Sequence, residues 1–191
     1  MPGGDEYLCH NIWPCHLKIV GPGTISASAP FSFSCRDSEG CTGMEFFSVS
    51  ITGDDGFSLF FSGAPLQISN SALSGARVTV GAAALDIASS SFAKSSFVLE
   101  RAARLSISRA NFSGSASSAR PALFLYSGTT ASIESCKFEN LKSTWSGAAL
   151  LVVGSQLSVV DSTFFNCFSG ESGGAIHGET LFSTDGESPE P

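Results

Sequence analysis

Charge is scarce in this chain. Only 14% of its 191 residues are Asp, Glu, Lys or Arg, while 42% are hydrophobic, so most of its surface must be neutral. Ten basic residues stand against seventeen acidic ones, giving a formal net charge of −7. Arg101, Arg104, Arg109 and Arg120 are close in sequence, but Glu100 stands among them and no basic stripe forms. Nucleic acid is therefore not an expected partner. No apolar run reaches the roughly 20 residues of a membrane-spanning helix, so no transmembrane segment is expected. Met1-Pro2-Gly3-Gly4-Asp5-Glu6 lacks the basic and apolar regions of a secretory signal, which leaves either a fragment or a protein that is not exported. Helical spacing is missing as well, and bundles and strand–helix folds lose their support with it.

What is present is repetition. Phe138 and Phe164, Asn140 and Asn166, Gly147 and Gly173, and Ala149 and Ala175 each stand 26 positions apart. A fixed period in this range marks a stacked repeat architecture. The phase continues towards the N-terminus at Leu105-Ile107-Ala110-Phe112, Leu85-Ile87-Ser90-Phe92, Leu66-Ile68-Ser71-Leu73 and Met44-Phe46-Val49-Ile51. Leu17-Ile19 opens the series with its third large apolar residue out of register. A second strand-like run lies between these motifs, at Phe31-Ser-Phe33, Phe57-Ser-Leu59, Val78-Thr-Val80, Phe97-Val-Leu99, Leu123-Phe-Leu125 and Ala149-Leu-Leu151.

Units of strand, turn, strand and turn cannot bury an apolar face alone and must stack on their neighbours. The fold class expected is all-β, a single-stranded parallel β-helix with coils laid about 4.8 Å apart. Coil steps run from 19 residues (Leu66 to Leu85) to 27 (Leu17 to Met44), and about seven coils fit. Three inward columns follow: Met44/Leu66/Leu85/Leu105/Ala131/Leu157, Phe46/Ile68/Ile87/Ile107/Ile133/Val159 and Ile51/Leu73/Phe92/Phe112/Phe138/Phe164. Their outward partner, Glu45/Gln67/Asp86/Ser106/Ser132/Ser158, is polar throughout, and a one-residue slip would invert that.

Residues 1–16 carry no repeat and read as a cap, to which Leu8, Ile12 and Trp13 give the apolar part. Residues 17–182 read as the β-helix domain and 183–191 as a disordered tail. Gly173-Gly174-Ala175-Ile176 begins a coil that has no second half, so further coils in a longer protein are expected. Cys136 falls in a small inward column with Ser71, Ser90, Ala110 and Ser162 and reads as a buried free thiol. Cys167 takes the turn position of Leu141 one coil earlier, out of line with Cys136. Cys9 with Cys15, and Cys35 with Cys41, either close short loops or remain thiols.

Phe164-Phe165-Asn166 followed by Gly173-Gly174-Ala175-Ile176, and Phe138-Glu139-Asn140 followed by Gly147-Ala148-Ala149-Leu150, resemble the repeats of the polymorphic outer-membrane protein family and related right-handed, pectin lyase-like β-helix proteins. The aromatic fills the coil, stacked Asn side chains ladder at the turn, and the glycines turn the chain. The resemblance implies a right-handed helix and a surface-displayed or secreted passenger, extracellular or on the cell surface. Such passengers are adhesive or scaffolding rather than catalytic, with glycans or surface proteins as partners.

The enzymatic alternative rests on Gly53-Asp54-Asp55-Gly56. It resembles the Gly-Asp-Asp stretch that β-helix polysaccharide hydrolases use as acid and base, and Lys18–Ile25 resembles an early coil of such enzymes. The companion Asn-Thr-Asp, Gly-His-Gly and Arg-x-Lys signals are absent, and an ordinary Asp/Gly turn accounts for the same residues. A lyase would need acids converging on calcium, whereas Asp86, Glu134 and Asp161 fall on different columns and coils. Cys9, His10, Cys15 and His16 hold the atoms of a zinc site, but their spacing is not that of a zinc knuckle. No cofactor is expected. Asn111-Phe112-Ser113 is a glycosylation sequon, and His177 reads as an exposed polar residue.

Overall fold

A computed structural model describes residues 6–8, 15–27, 31–36, 41–114 and 120–180, with side chains over 18–26, 42–53, 57–114 and 120–180. The regular elements among the described residues are all strands, and all their pairings are parallel. They form one large sheet curled around a core, plus a small pair, Lys142–Ser143 with Phe168–Ser169. This is the arrangement a parallel β-helix produces.

Three stacks of strands share the core. The first joins Leu66–Ser69, Ala84–Ala88, Arg104–Ser108, Thr130–Glu134 and Gln156–Val160, below which lie parts of the long strands Cys15–Ala27 and Cys41–Ser62. Its register sets Leu17, Met44, Leu66, Leu85, Leu105, Ala131 and Leu157 in one column, as the periodicity requires. Gln67, Asp86, Ser106 and Ser132 face out between buried neighbours, and Ser158 between the half-buried Leu157 and Val159. Glu45, half-buried, holds the Lys18 ammonium at 2.7 Å.

The second stack carries Ser91–Ala93, Asn111–Ser113, Lys137–Glu139 and Thr163–Phe165. The rings of Phe92, Phe112, Phe138 and Phe164 stack at successive centroid distances of 4.9, 4.8 and 4.9 Å. That spacing is the strand separation itself, so the rings keep contact simply by occupying equivalent positions. The third stack joins Ser96–Glu100, Leu123–Tyr126, Leu150–Val153 and Ile176–Glu179, with Phe97, Leu99, Leu123, Leu125 and Leu150 inaccessible to solvent.

The bends carry a second regularity. Ser48, Asn70, Ser89, Arg109, Ser135 and Asp161, between the first and second stacks, all have φ between 48° and 56°. Gly75, Lys94, Gly114, Asn140 and Asn166 are likewise left-handed after the second stack. A single left-handed residue redirects the strand while its N–H continues the ladder: Ser89 donates to Ser108, Arg109 to Glu134 and Ser135 to Val160, at 3.0 Å each. Left-handed backbone costs about 1–2 kcal/mol for a residue with a Cβ, and the retained inter-strand bonds help offset it. At one of these bends Asn166 donates its amide to Asn140 at 2.8 Å, the expected Asn ladder.

The small inward column proves to be polar in function. The Ser71 hydroxyl donates to Ser69 and accepts the Val49 N–H; the Ser90 hydroxyl donates to Ala88 and accepts the Ser71 N–H. Ser162 serves Cys136 in the same way, at 3.1 Å. These hydroxyls stand in for ladder bonds that the bend removes. Cys136 is a buried free thiol as read, donating to Glu134 at 3.1 Å, and Cys167 follows Leu141 at the turn without a disulfide.

Two local readings of the sequence are corrected. Ile25 does join the third apolar column, opposite Ile51, because one extra residue is taken up between Val20 and Gly23. The run read as Ala149-Leu-Leu151 sits one residue later, since Leu123 pairs with Leu150. In the segment read as a cap, the described residues Glu6–Leu8 form a strand parallel to Phe31–Arg36.

Candidate functional site

In the first stack inward apolar residues alternate with outward Gln67, Asp86, Ser106, Ser132 and Ser158, so that wall is polar. Where the first stack bends into the second, that wall is concave. A groove of about 670 Å³ runs along it, lined chiefly by Ser48, Asn70, Ser89 and Arg109 at the bend and by Ser50 and Ser91 beside them. Four of its lining residues, Ser48, Asn70, Ser89 and Arg109, are the left-handed residues of the bend. Cavities of this volume are of ligand size.

Asn111 closes the groove at one end. Its amide nitrogen reaches Glu139, whose carboxyl is held below the ordinary range chiefly by a hydrogen bond from Lys137. The Lys137 ammonium lies 2.6 Å from that carboxylate. Asn111 also has a buried Oδ1 that has no hydrogen-bond partner. An orphaned buried acceptor is uncommon and marks a place for a donor. Asn111 had been noticed in the sequence only as part of a sequon.

A second feature lies on the outer face of the third stack. Phe124 packs against Tyr126 (centroids 6.0 Å apart) and edge-on against Trp145 (6.2 Å, 84°). The Arg120 guanidinium sits 5.2 Å above the Trp145 ring. Tyr126 and Trp145 are 41% and 38% exposed, so this is an open aromatic shelf and not core. The sequence held a signal for it that was passed over: Phe124 occupies the outward place in Leu123-Phe124-Leu125, where a polar residue is the norm.

The residues singled out for chemistry fare differently. The backbone of Gly53–Gly56 bulges out of register, four residues standing opposite the single Gly75 between the Thr52–Ser74 and Phe57–Ala76 pairs. Asp54 and Asp55 therefore sit on an insertion at the far end of the second stack from the groove; their side chains are outside the described set. Cys9 and His10 lie outside the described residues. Cys15 and His16 are described in backbone only, and the register sets Cys15 beside Cys41, with Cys35 beside Phe61. Among the described residues no group of three His, Cys, Asp or Glu could hold a metal ion.

Comparison with protein-family models, with curated proteins and with solved structures gave no match. The wall must be read from its own chemistry. No helix among the described residues is long and apolar enough to cross a membrane, which says nothing of a β-barrel.

Proposed function

We propose that the chain is a right-handed parallel β-helix of about seven coils, related in its repeat to polymorphic outer-membrane protein passengers and the pectin lyase-like fold. Right-handedness is supported by the near-universal hand of parallel strand crossovers. In this reading the chain is a non-catalytic module of adhesive or scaffold type, displayed at a cell surface or secreted, and part of a longer solenoid. Its partners are glycans. The observation that carries the reading is the groove, whose hydroxyls, amides and Arg109 offer many weak polar contacts at strand spacing. Weak contacts repeated along a rod sum to useful avidity.

The test is retention on immobilised neutral and acidic polysaccharides. The wild-type chain should be retained, and Asn111→Leu with Arg109→Ala should weaken retention about tenfold, roughly 1.4 kcal/mol. No retention of the folded wild-type chain on any polymer would end the reading.

One observation favours a second reading, a carbohydrate-active enzyme. Asp54 and Asp55 stand on an insertion that the following strand does not share, as a grafted site would. Release of reducing ends from pectic polymers by the wild type but not by Asp54→Asn would establish it.

A further inference from the structure

We propose that Ser172, His177 and Glu179 form a nucleophilic site of the acyl-transfer type that acts on esters. This does not depend on the glycan reading of the groove, and it replaces the non-catalytic part of that reading with a catalytic one. Ser172 Oγ lies 3.0 Å from His177 Nδ1, and His177 Nε2 lies 2.8 Å from Glu179 Oε1. Nucleophile, base and orienting carboxylate are thus in one hydrogen-bonded line, the relation by which such sites are recognised whatever the fold or chain order.

The repeat shows how far this departs from stacking needs. His177 is in register with Leu151 and Phe124, and Glu179 with Val153 and Tyr126. Two outward positions that are apolar in the strands beneath become a base and an acid, two residues apart on one strand and so on one face. Ser172 corresponds to Ser146 one coil earlier, so the serine is inherited from the repeat while its partners are not.

Gly173 lets the serine approach. Its φ is +78°, and a Cβ there would lie 2.6 Å from the His177 Cβ, so no side chain can stand between Ser172 and the imidazole strand. Protons can be counted. The Glu179 carboxylate only accepts, so Nε2 carries a proton, and in the neutral imidazole Nδ1 is then the acceptor. Ser146 gives its proton to Glu171 at 2.9 Å and lies 3.0 Å from Ser172 Oγ. The single Ser172 proton therefore has two acceptors within reach, and the imidazole nitrogen is the more basic. The two ring nitrogens take the reverse of their more familiar roles, which the donor and acceptor logic permits. Ser172 is exposed and His177 half-buried, so a substrate can reach the hydroxyl.

In the step proposed, Ser172 Oγ attacks the ester carbonyl carbon while its proton passes to Nδ1 and Glu179 stabilises the imidazolium. Collapse breaks the bond to the alcohol, which leaves with that proton, and an acyl-serine remains. Water, deprotonated by His177, then releases the carboxylic acid and restores Ser172.

The test uses a fluorophosphonate, which phosphonylates an activated serine with loss of fluoride, and locates the adduct by peptide mass spectrometry. Labelling is expected at Ser172. It should vanish in Ser172→Ala, fall about 100-fold in rate in His177→Gln, fall less in Glu179→Gln, and be unchanged in Ser158→Ala, an exposed serine outside the line. Circular dichroism of each variant establishes that it is folded. A folded wild-type chain without an adduct at Ser172 would overturn the proposal, and so would a Ser172 adduct formed at the same rate in His177→Gln.

Discussion

Phe138→Ala is the substitution that most directly tests the stacked core. Phe138 is wholly buried, with its ring parallel to Phe112 below (4.8 Å, 6°) and to Phe164 above (4.9 Å, 4°). Truncating a buried Phe to Ala costs about 3–5 kcal/mol, the upper end applying where the surroundings cannot collapse into the void. Collapse is restricted here, since both neighbouring rings belong to strands held about 4.8 Å apart by their ladders. For a chain of this size about 1 kcal/mol lowers the melting temperature by about 2–4 °C, so a fall of about 6–20 °C is expected. In a solenoid the loss is shared with nearest neighbours. Amide hydrogen exchange should therefore accelerate first in Asn111–Ser113 and Thr163–Phe165, the strands paired on either side. Phe165→Ala is the control: it follows Phe164 in sequence yet is 62% exposed, and its loss should stay within about 0.5 kcal/mol. Equal melting temperatures for Phe138→Ala and Phe165→Ala would refute the register, because one residue of slip exchanges their faces.

Ser71→Ala leaves the buried Val49 N–H without its acceptor, at a cost of about 1–3 kcal/mol in urea unfolding. Cys136 and Cys167 both have thiol pKa values pushed above the ordinary 9.0, mainly by burial. Alkylation at neutral pH should thus be slow until the chain unfolds. Because both values are raised in the fold, their stabilisation is complete below the unfolded thiol value and is lost as pH rises through the folded ones. Stability should accordingly decline above pH 9, and a Cys136→Ser, Cys167→Ser double variant should decline less steeply there.

The inward columns were legible because each inward residue meets the same neighbour from coil to coil, so the sequence repeats what the packing repeats. The bends were not. Left-handed residues are expected to be Gly or Asn, yet Arg109, Lys94, Ala82 and Asp161 fill such places; hydrogen bonds to the next strand override local preference there. Spacing failed where the step changed: a 27-residue interval at Leu123–Leu150 shifted one strand, and an extra residue after Val20 hid Ile25. The hydrogen bonds of the Ser71 and Ser90 hydroxyls were not legible for a different reason. Smallness alone does not tell a methyl-sized filler from a hydrogen-bonding group, and only the neighbouring N–H decides.

Those failures share a cause with the candidate sites. A repeat fixes a residue wherever its neighbour above and below must be like it, which is the interior. On the outer wall no such demand acts, so a departure from the series costs little in folding and is free to serve another end. Asn111 in a series with Ser50, Ala72 and Ser91, and His177 above the apolar Val98, Phe124 and Leu151 are such departures. Each is also where the structure shows something stacking does not require: an unpaired buried oxygen, and a serine aligned with an imidazole and a carboxylate. If irregularity on the wall were mere drift, such groups would fall among solvent-exposed residues without partners. The His177 imidazole instead has both nitrogens engaged, by Ser172 from a neighbouring turn and by Glu179 on its own strand, a coincidence of three positions that drift in one of them would break.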